Sequence, residues 1–274
     1  MNDPRAERIT GVLAPSVVQM EGAFGTVVAH AEPAPDRGPS DACQDAVAVI
    51  PTPQALVLAV ADGVGGTRGG AEASQLAIDA LHDALASITS DDENAVRGAI
   101  LDAFERADAA AQATPAVGST TLLVVEIQGG VLRTYNTGDS EAVIVGGRGK
   151  LKLRTVAHSP VGYQVAAGVL DPAEALHHDM RHYITNVVGD GKMRIDVGPS
   201  YTMADHDTLL MASDGLFDNV SLEEISIILQ RGPLTEATQV LVELARRRMQ
   251  YPEPGEPSKP DDLSLVLYRL PHRQ

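Results

Sequence analysis

Six apolar runs of strand length, interrupted by two pairs of amphipathic helical stretches, restrict what this chain can fold into more than any other feature. The runs lie at 55–61, 120–126, 131–135, 141–145, 208–212 and 263–268. Their Val and Leu content and their Gly or Asp flanks favour strands. Gly129-Gly130 reads as a tight hairpin between the second and third runs, and 136–140 reads as another between the third and fourth. Part of the chain is therefore expected to be an antiparallel meander. Over 71–88 the apolar residues Leu76, Ala80, Leu81, Ala84, Leu85 and Ile88 recur at helical spacing, and over 93–113 so do Val96, Ile100, Phe104 and Ala107. A second helix pair is predicted over 221–229 and 235–249. Capping boxes at Ser90/Glu93 and Ser221/Glu224 open one helix of each pair. Each helix has one apolar face to bury, and the economical solution lays the helices on the outer faces of two stacked sheets. The predicted fold class is α+β: a four-layer α-β-β-α sandwich of two antiparallel sheets flanked by helix pairs.

Composition narrows the function. With 274 residues, 44% hydrophobic and 21% charged, the chain can bury a core and is not disordered. Its net charge of -16 repels nucleic acid and anionic membrane, so a phosphate-bearing substrate needs a local cation. Cys43 is the only cysteine, which excludes an internal disulfide and a Cys-based zinc site. Aromatic residues are scarce at 3%, which argues against stacking-based binding of nucleic acid or sugars. No basic and apolar leader opens the sequence, and no apolar run reaches the ~20 residues needed to span a bilayer. The expectation is a cytoplasmic protein that engages neither membrane nor nucleic acid. The Pro-rich stretch 251–260 is a loop feeding the last strand.

Aspartates mark the strand ends. Asp62-Gly63 follows the run ending at Ala61, Ser213-Asp214-Gly215 follows the run ending at Ala212, and Gly138-Asp139-Ser140 follows the run containing Tyr135. Asp261-Asp262 instead precede the run starting at Leu263. In an antiparallel sheet the start of one strand lies beside the end of its neighbour, so all four positions can share one edge. Two unit charges ~4 Å apart repel by roughly 4 kcal/mol at an effective dielectric of 20. Gathered carboxylates thus need protonation or a cation. All-oxygen ligation suits Mg²⁺ or Mn²⁺. Taken singly, each Asp-Gly reads as well as a strand-ending turn; taken together they favour metal.

The blocks Asp62-Gly63-Val64-Gly65-Gly66, Gly118-Ser119-Thr120-Thr121, Gly138-Asp139-Ser140, Ala212-Ser213-Asp214-Gly215-Leu216-Phe217-Asp218 and Asp261-Asp262-Leu263-Ser264 resemble, in this order, the signature blocks of the PP2C (PPM) metal-dependent serine/threonine protein phosphatases of bacterial type. The resemblance implies one phosphatase domain over 25–270, preceded by an extension at 1–24 whose fold is left open. It implies hydrolysis of phosphoserine and phosphothreonine in proteins by a metal-bridging water, with no phosphoenzyme. Asp62, Asp214 and Asp261 would be the catalytic residues. Asp62 would bridge two Mn²⁺ or Mg²⁺ ions, the Gly63 carbonyl would complete one shell, and Asp214 and Asp261 would hold the other ion. Asp45 would act through a water, and Asp139 with Asp214 would frame a third ion. Gly118 to Thr121 would be structural. The partner would be a phosphoprotein made by a Ser/Thr kinase.

Three positions depart from the family pattern. Gln44 stands where the family has Glu, Ser40 where many relatives keep a phosphate-gripping arginine, and Val64 where animal members have histidine. Arg37 is then the candidate phosphate ligand. These departures motivate a second reading, a regulatory module that binds metal or a phosphoprotein without turnover. Other motifs read blandly. The Gly63 to Gly70 stretch is a poor nucleotide loop, because Arg68 breaks the glycine frame and no Gly-Lys-Ser/Thr is present. His178 and His182 are expected on a loop, and Arg246-Arg247-Arg248 as a solvated helix end. The segment from His158 to Leu170 resembles the one preceding the family's variable flap, which would border the substrate cleft.

Overall fold

A computed structural model describes residues 5–64, 69–88, 92 and 94–271. One sheet has the order β1 (Glu7–Ile9), β4 (Asp45–Pro51), β5 (Leu56–Asp62), β6 (Leu122–Gln128), β7 (Val131–Thr137) and β10 (Asp196–Val197), with β11 (Tyr201–Thr202) also on β7. The other runs β2 (Ser16–Gly22), β3 (Gly25–Glu32), β13 (Leu263–Arg269), β12 (Thr208–Ala212), β8 (Glu141–Val145) and β9 (Leu151–Arg154). Every pairing is antiparallel. Helices α1 (Gly70–Ala86) and α2 (Ala95–Ala113) cover the first sheet, where Ile78, Leu81, Ile100 and Phe104 pack on Ala46, Val57 and Val124. Helices α6 (Leu222–Leu229) and α7 (Leu234–Gln250) cover the second sheet, together with the one-turn α5 (Asp214–Phe217). Between the sheets Leu58, Leu123, Met211 and Val266 are fully buried. Each such side chain contributes roughly 1.5–3 kcal/mol of burial free energy. The four layers expected from the strand and helix pattern are thus present.

One of the two predicted hairpins forms and the other does not. Gly129 and Gly130 adopt φ of 60° and 82° and close the β6–β7 hairpin as expected. Residues 138–140, by contrast, are no hairpin: β7 and β8 belong to different sheets, so the chain crosses from one layer to the other there. That crossing sets Asp139 at the seam between the sheets. Within the stretch 1–24, whose fold the sequence left open, Glu7–Ile9 supplies β1 to one sheet and Ser16–Gly22 supplies β2 to the other. Strand β3 carries Ala, His and Glu, and β4 carries Asp, Ala and Pro, among their Val residues, so their propensity signal is weak, and pairing with β13 and β5 decides them. Among the described residues no helix is long and apolar enough to cross a membrane.

The box at Ser90/Glu93 lies outside the described residues, whereas that at Ser221/Glu224 is formed reciprocally. Its glutamate has a further partner: Arg248 donates to both Glu224 carboxylate oxygens at 2.8 and 2.9 Å and to the Asn219 carbonyl at 2.8 Å. Arg248 is buried, and Arg246 pairs with Glu32, so this arginine run is not the solvated helix end expected. The Arg248 hydrogen bonds hold the Glu224 carboxyl down at about 2, against an ordinary value of 4.5. A carboxyl depressed on folding contributes stability above its unfolded value and loses it as pH falls through the folded one. The stability gap between wild type and Glu224→Gln, followed by thermal unfolding, should therefore be full above about pH 4.5 and close toward about pH 2. A gap independent of pH would refute the ion pair.

Candidate metal centre

Asp45 opens β4 and Asp62 closes β5, and the two are directly opposed across the ladder. Cross-strand pairs of this kind point to the same face. The fixed backbone around Asp62 comes from the Gly118 to Thr121 block. Thr121 Oγ1 accepts from the Asp62 N–H at 2.9 Å, the Thr121 N–H donates to the Asp62 carbonyl at 2.8 Å, and Thr120 Oγ1 donates to the same carbonyl at 2.9 Å. Glycine is required next, because a Cβ on Gly63 would lie 2.2 Å from the Gly70 carbonyl at the start of α1. The Asp-Gly here is thus a close strand–helix contact, beyond a simple turn.

The second sheet presents its carboxylates at the same rim. β13 inserts between β3 and β12, so Asp261, just before β13, comes beside Asp214, just after β12. Ser213 Oγ donates to Asp45 Oδ2 at 2.6 Å, stitching one sheet's carboxylate to the other sheet's loop. Asp139 is fixed through its neighbour: buried His158 accepts the Gly138 N–H on Nδ1 at 3.0 Å, and its Nε2 faces Asp196 Oδ2 at 3.0 Å. Asp45 Oδ1 and Asp139 Oδ1 are buried with no hydrogen-bond partner among the described residues.

The electrostatics follow from this crowding. Burial first, then the charges of Asp45, Asp214, Asp261 and Asp139, push the Asp62 carboxyl well above the usual carboxylate range. Burial and Asp214 do the same to Asp139 and Asp261, and burial and Asp262 to Asp45. Among the described residues no group of three His, Cys, Asp or Glu side chains already stands arranged to hold a metal ion. The rim is an open crescent of oxygens. Its all-carboxylate chemistry and its two unpartnered buried oxygens fit a hard divalent cation.

Three sequence candidates stand differently from the rest. Arg37 does not point freely at the rim: its Nε and Nη2 grip Asp262 at 2.6 Å each. Asp262 also accepts the Ala34 and Gln44 N–H groups at 2.7 Å each, so it is the anchor of the loop carrying Asp45 and leaves the rim to Asp261. His178 and His182 lie outside helices, as expected. Sequence reasoning assigned no role to Asp218 or Lys259. Lys259 Nζ lies 3.0 Å from Asp261 Oδ2 and 3.1 Å from Asp218 Oδ2, and it also pairs with Asp214. Two acidic partners at a strand end are a visible signal, but a lysine in a Pro-rich loop carries none.

A cleft of about 370 Å³ opens from the rim, lined by Asp139, Asp214, Asp218, Arg154 and Arg181. Helix α3 (Pro160–Ala166) forms one wall, in the segment expected to border the cleft.

The class defined by fold and site is an α-β-β-α sandwich with carboxylates from both sheets at one seam. The chain belongs to the protein phosphatase 2C family, whose pattern matches residues 37–250. This is a metal-dependent family. The chain is 34% identical over 203 residues to the serine/threonine protein phosphatase PstP of Mycobacterium tuberculosis, covering 70% of this chain. It spans only 38% of that relative's length. It is 32% identical over 197 residues to protein phosphatase PhpP of Streptococcus pneumoniae, covering 69% of this chain and 79% of that protein. The catalytic domain of PstP, solved in complex with two manganese ions, superposes with a TM-score of 0.68 at 24% identity, covering 94% of this chain and 100% of that one.

Proposed function

We propose that this chain hydrolyses phosphoserine and phosphothreonine in proteins, using divalent ions held by Asp62, Asp214 and Asp261, with Asp45, Asp139 and the Gly63 carbonyl in support. The observation that carries this reading is the meeting, at one seam, of carboxylates from strand ends of both sheets, with buried oxygens left unpartnered. Two ions, Mn²⁺ or Mg²⁺, are proposed by analogy with the manganese-bearing PstP domain, with Asp139 and Asp214 available to a third. The substrate is a protein phosphorylated by a Ser/Thr kinase, and the setting is cytoplasmic signalling.

Bound divalent ions supply a Lewis-acidic centre that lowers the pKa of water and offsets phosphoryl charge. The chain's own residues do the rest. Thr120 and Thr121 hold the Asp62 backbone still, and Ser213 engages one oxygen of Asp45 and leaves the other for a ligand. Preorganisation of this kind avoids reorganisation cost during reaction. Arg154, fixed by two hydrogen bonds to Glu141 at 2.5 and 2.8 Å, and Arg181 are the cations lining the cleft. Both are paired with carboxylates of the same lining, Arg154 with Glu141 and Arg181 with Asp218, so the positive field that a phosphopeptide needs in this acidic cleft falls to the bound cations.

A phosphothreonine peptide should be hydrolysed with Mn²⁺ and not in EDTA. Asp214→Asn should lower turnover by at least about 10²-fold with unchanged cooperative unfolding, the usual scale for removing a catalytic electrostatic group. Turnover that persists in EDTA, or in that variant, would overturn the reading. Binding of Mn²⁺ and phosphopeptide without turnover would instead support the regulatory module suggested by Gln44 and Ser40.

A further inference from the structure

Lys259 is the one cation in contact with Asp214 and Asp261 among the described residues. Its ammonium contacts Asp214, Asp218 and Asp261 together, and Asp214 and Asp261 are the pair assigned above to one ion. The backbone below is pinned. Buried Asn219 donates from Nδ2 to the Lys259 carbonyl and accepts the Lys259 N–H on Oδ1, both at 2.9 Å. Pro260 follows and restricts the conformation of the residue before it. The side chain is 24% exposed, so most of the stem is held within the fold. A compact ammonium with carboxylate oxygens around it at ion-pair distance is a tethered, singly charged counterpart of the hard cation those oxygens would bind.

We propose that Lys259 is a built-in competitor for one metal position: an ion binds between Asp214 and Asp261 only by displacing the Lys259 ammonium. The Asp62/Asp45 side of the rim, which the lysine does not contact, loads independently of it. The inference rests on the metal-centre reading. It sets an order of loading, tighter at Asp62 and weaker at Asp214/Asp261. It also gives the metal-free protein a counter-charge for its carboxylates.

The test is equilibrium Mn²⁺ binding to the full chain, read by the electron paramagnetic resonance of free Mn²⁺, in wild type, Lys259→Gln and Lys259→Arg. Wild type should show a tight and a weak class. The weak class should tighten by at least about tenfold in Lys259→Gln, the scale of removing one like charge at contact distance. It should stay weak in Lys259→Arg, and the tight class should move by less than about threefold in either variant. Superimposable isotherms for wild type and Lys259→Gln, or weaker binding in Lys259→Gln, would overturn the competitor. Absence of Mn²⁺ binding in all three proteins would overturn the metal-centre reading itself. A second measurement needs no variant: acetic anhydride labelling of wild type at constant pH, with Lys259 followed by mass spectrometry. Saturating Mn²⁺ should raise labelling of Lys259 severalfold relative to other lysines. Unchanged or reduced labelling would overturn displacement.

Discussion

Asp62→Asn is expected to lower turnover of a phosphothreonine peptide by about 10³-fold while leaving the metal-free protein at least as stable as wild type. The first effect comes from removing the carboxylate assigned to both ions, and loss of one preorganised electrostatic group alone typically costs 10²–10³-fold. The second comes from the neighbours. Without a cation, Asp62 faces Asp45, Asp139, Asp214 and Asp261, and its carboxyl is pushed up because its charged form is unfavourable there. Asparagine keeps the shape and discards the charge. The strand itself should not move, because Thr120 and Thr121 bind the main chain of residue 62 and not its side chain. Kinetics and thermal unfolding of the same preparation check both halves. Activity within tenfold of wild type would remove Asp62 from the chemistry, and a marked loss of metal-free stability would mean that its carboxylate is structural.

Gly215→Ala is expected to destabilise the fold by about 3 kcal/mol or more, at the upper end for overpacking. A Cβ at this position would lie 1.9 Å from the Asp262 carbonyl oxygen, a contact between two backbones that no rotamer change relieves. Neither side can retreat. Leu216 and Phe217 are buried under the second sheet, and the Asp262 carboxylate is tied to Arg37 and to the Ala34 and Gln44 N–H groups. Displacement would also carry to Asp45, whose loop Asp262 anchors, so phosphatase activity should fall with stability. Denaturant unfolding measures the first and peptide turnover the second. A cost under about 1 kcal/mol would show that the α5–β13 junction is softer than its packing implies.

What was legible beforehand was local. The i, i+3, i+4 rhythm of Leu81, Ala84 and Leu85 could only be satisfied by a helix lying on something, and Gly129-Gly130 could only be a tight turn. The aspartates at strand ends carried a chemical signal because like charges at one edge are costly without a counter-ion. The errors came where local pattern was silent about partners. The 136–140 stretch reads as a hairpin by composition, yet its flanking strands join different sheets. Arg248 reads as an exposed helix end, yet Glu224 and the Asn219 carbonyl make its burial favourable. Arg37 reads as a candidate phosphate ligand with no partner assigned, and Asp262, 225 residues away, holds it.

Side-chain periodicity and the positions of glycine and aspartate therefore carried the layer architecture and the acidic character of the strand ends, because these depend on short-range sterics and on charge. The long-range sheet order decided which oxygens meet and what stands among them. By inserting β13 between β3 and β12 it set Asp261 beside Asp214 and brought the Lys259 ammonium into the same crescent. No spacing along the chain encodes that meeting, since it is created by hydrogen-bonded ladders joining segments that are remote in sequence.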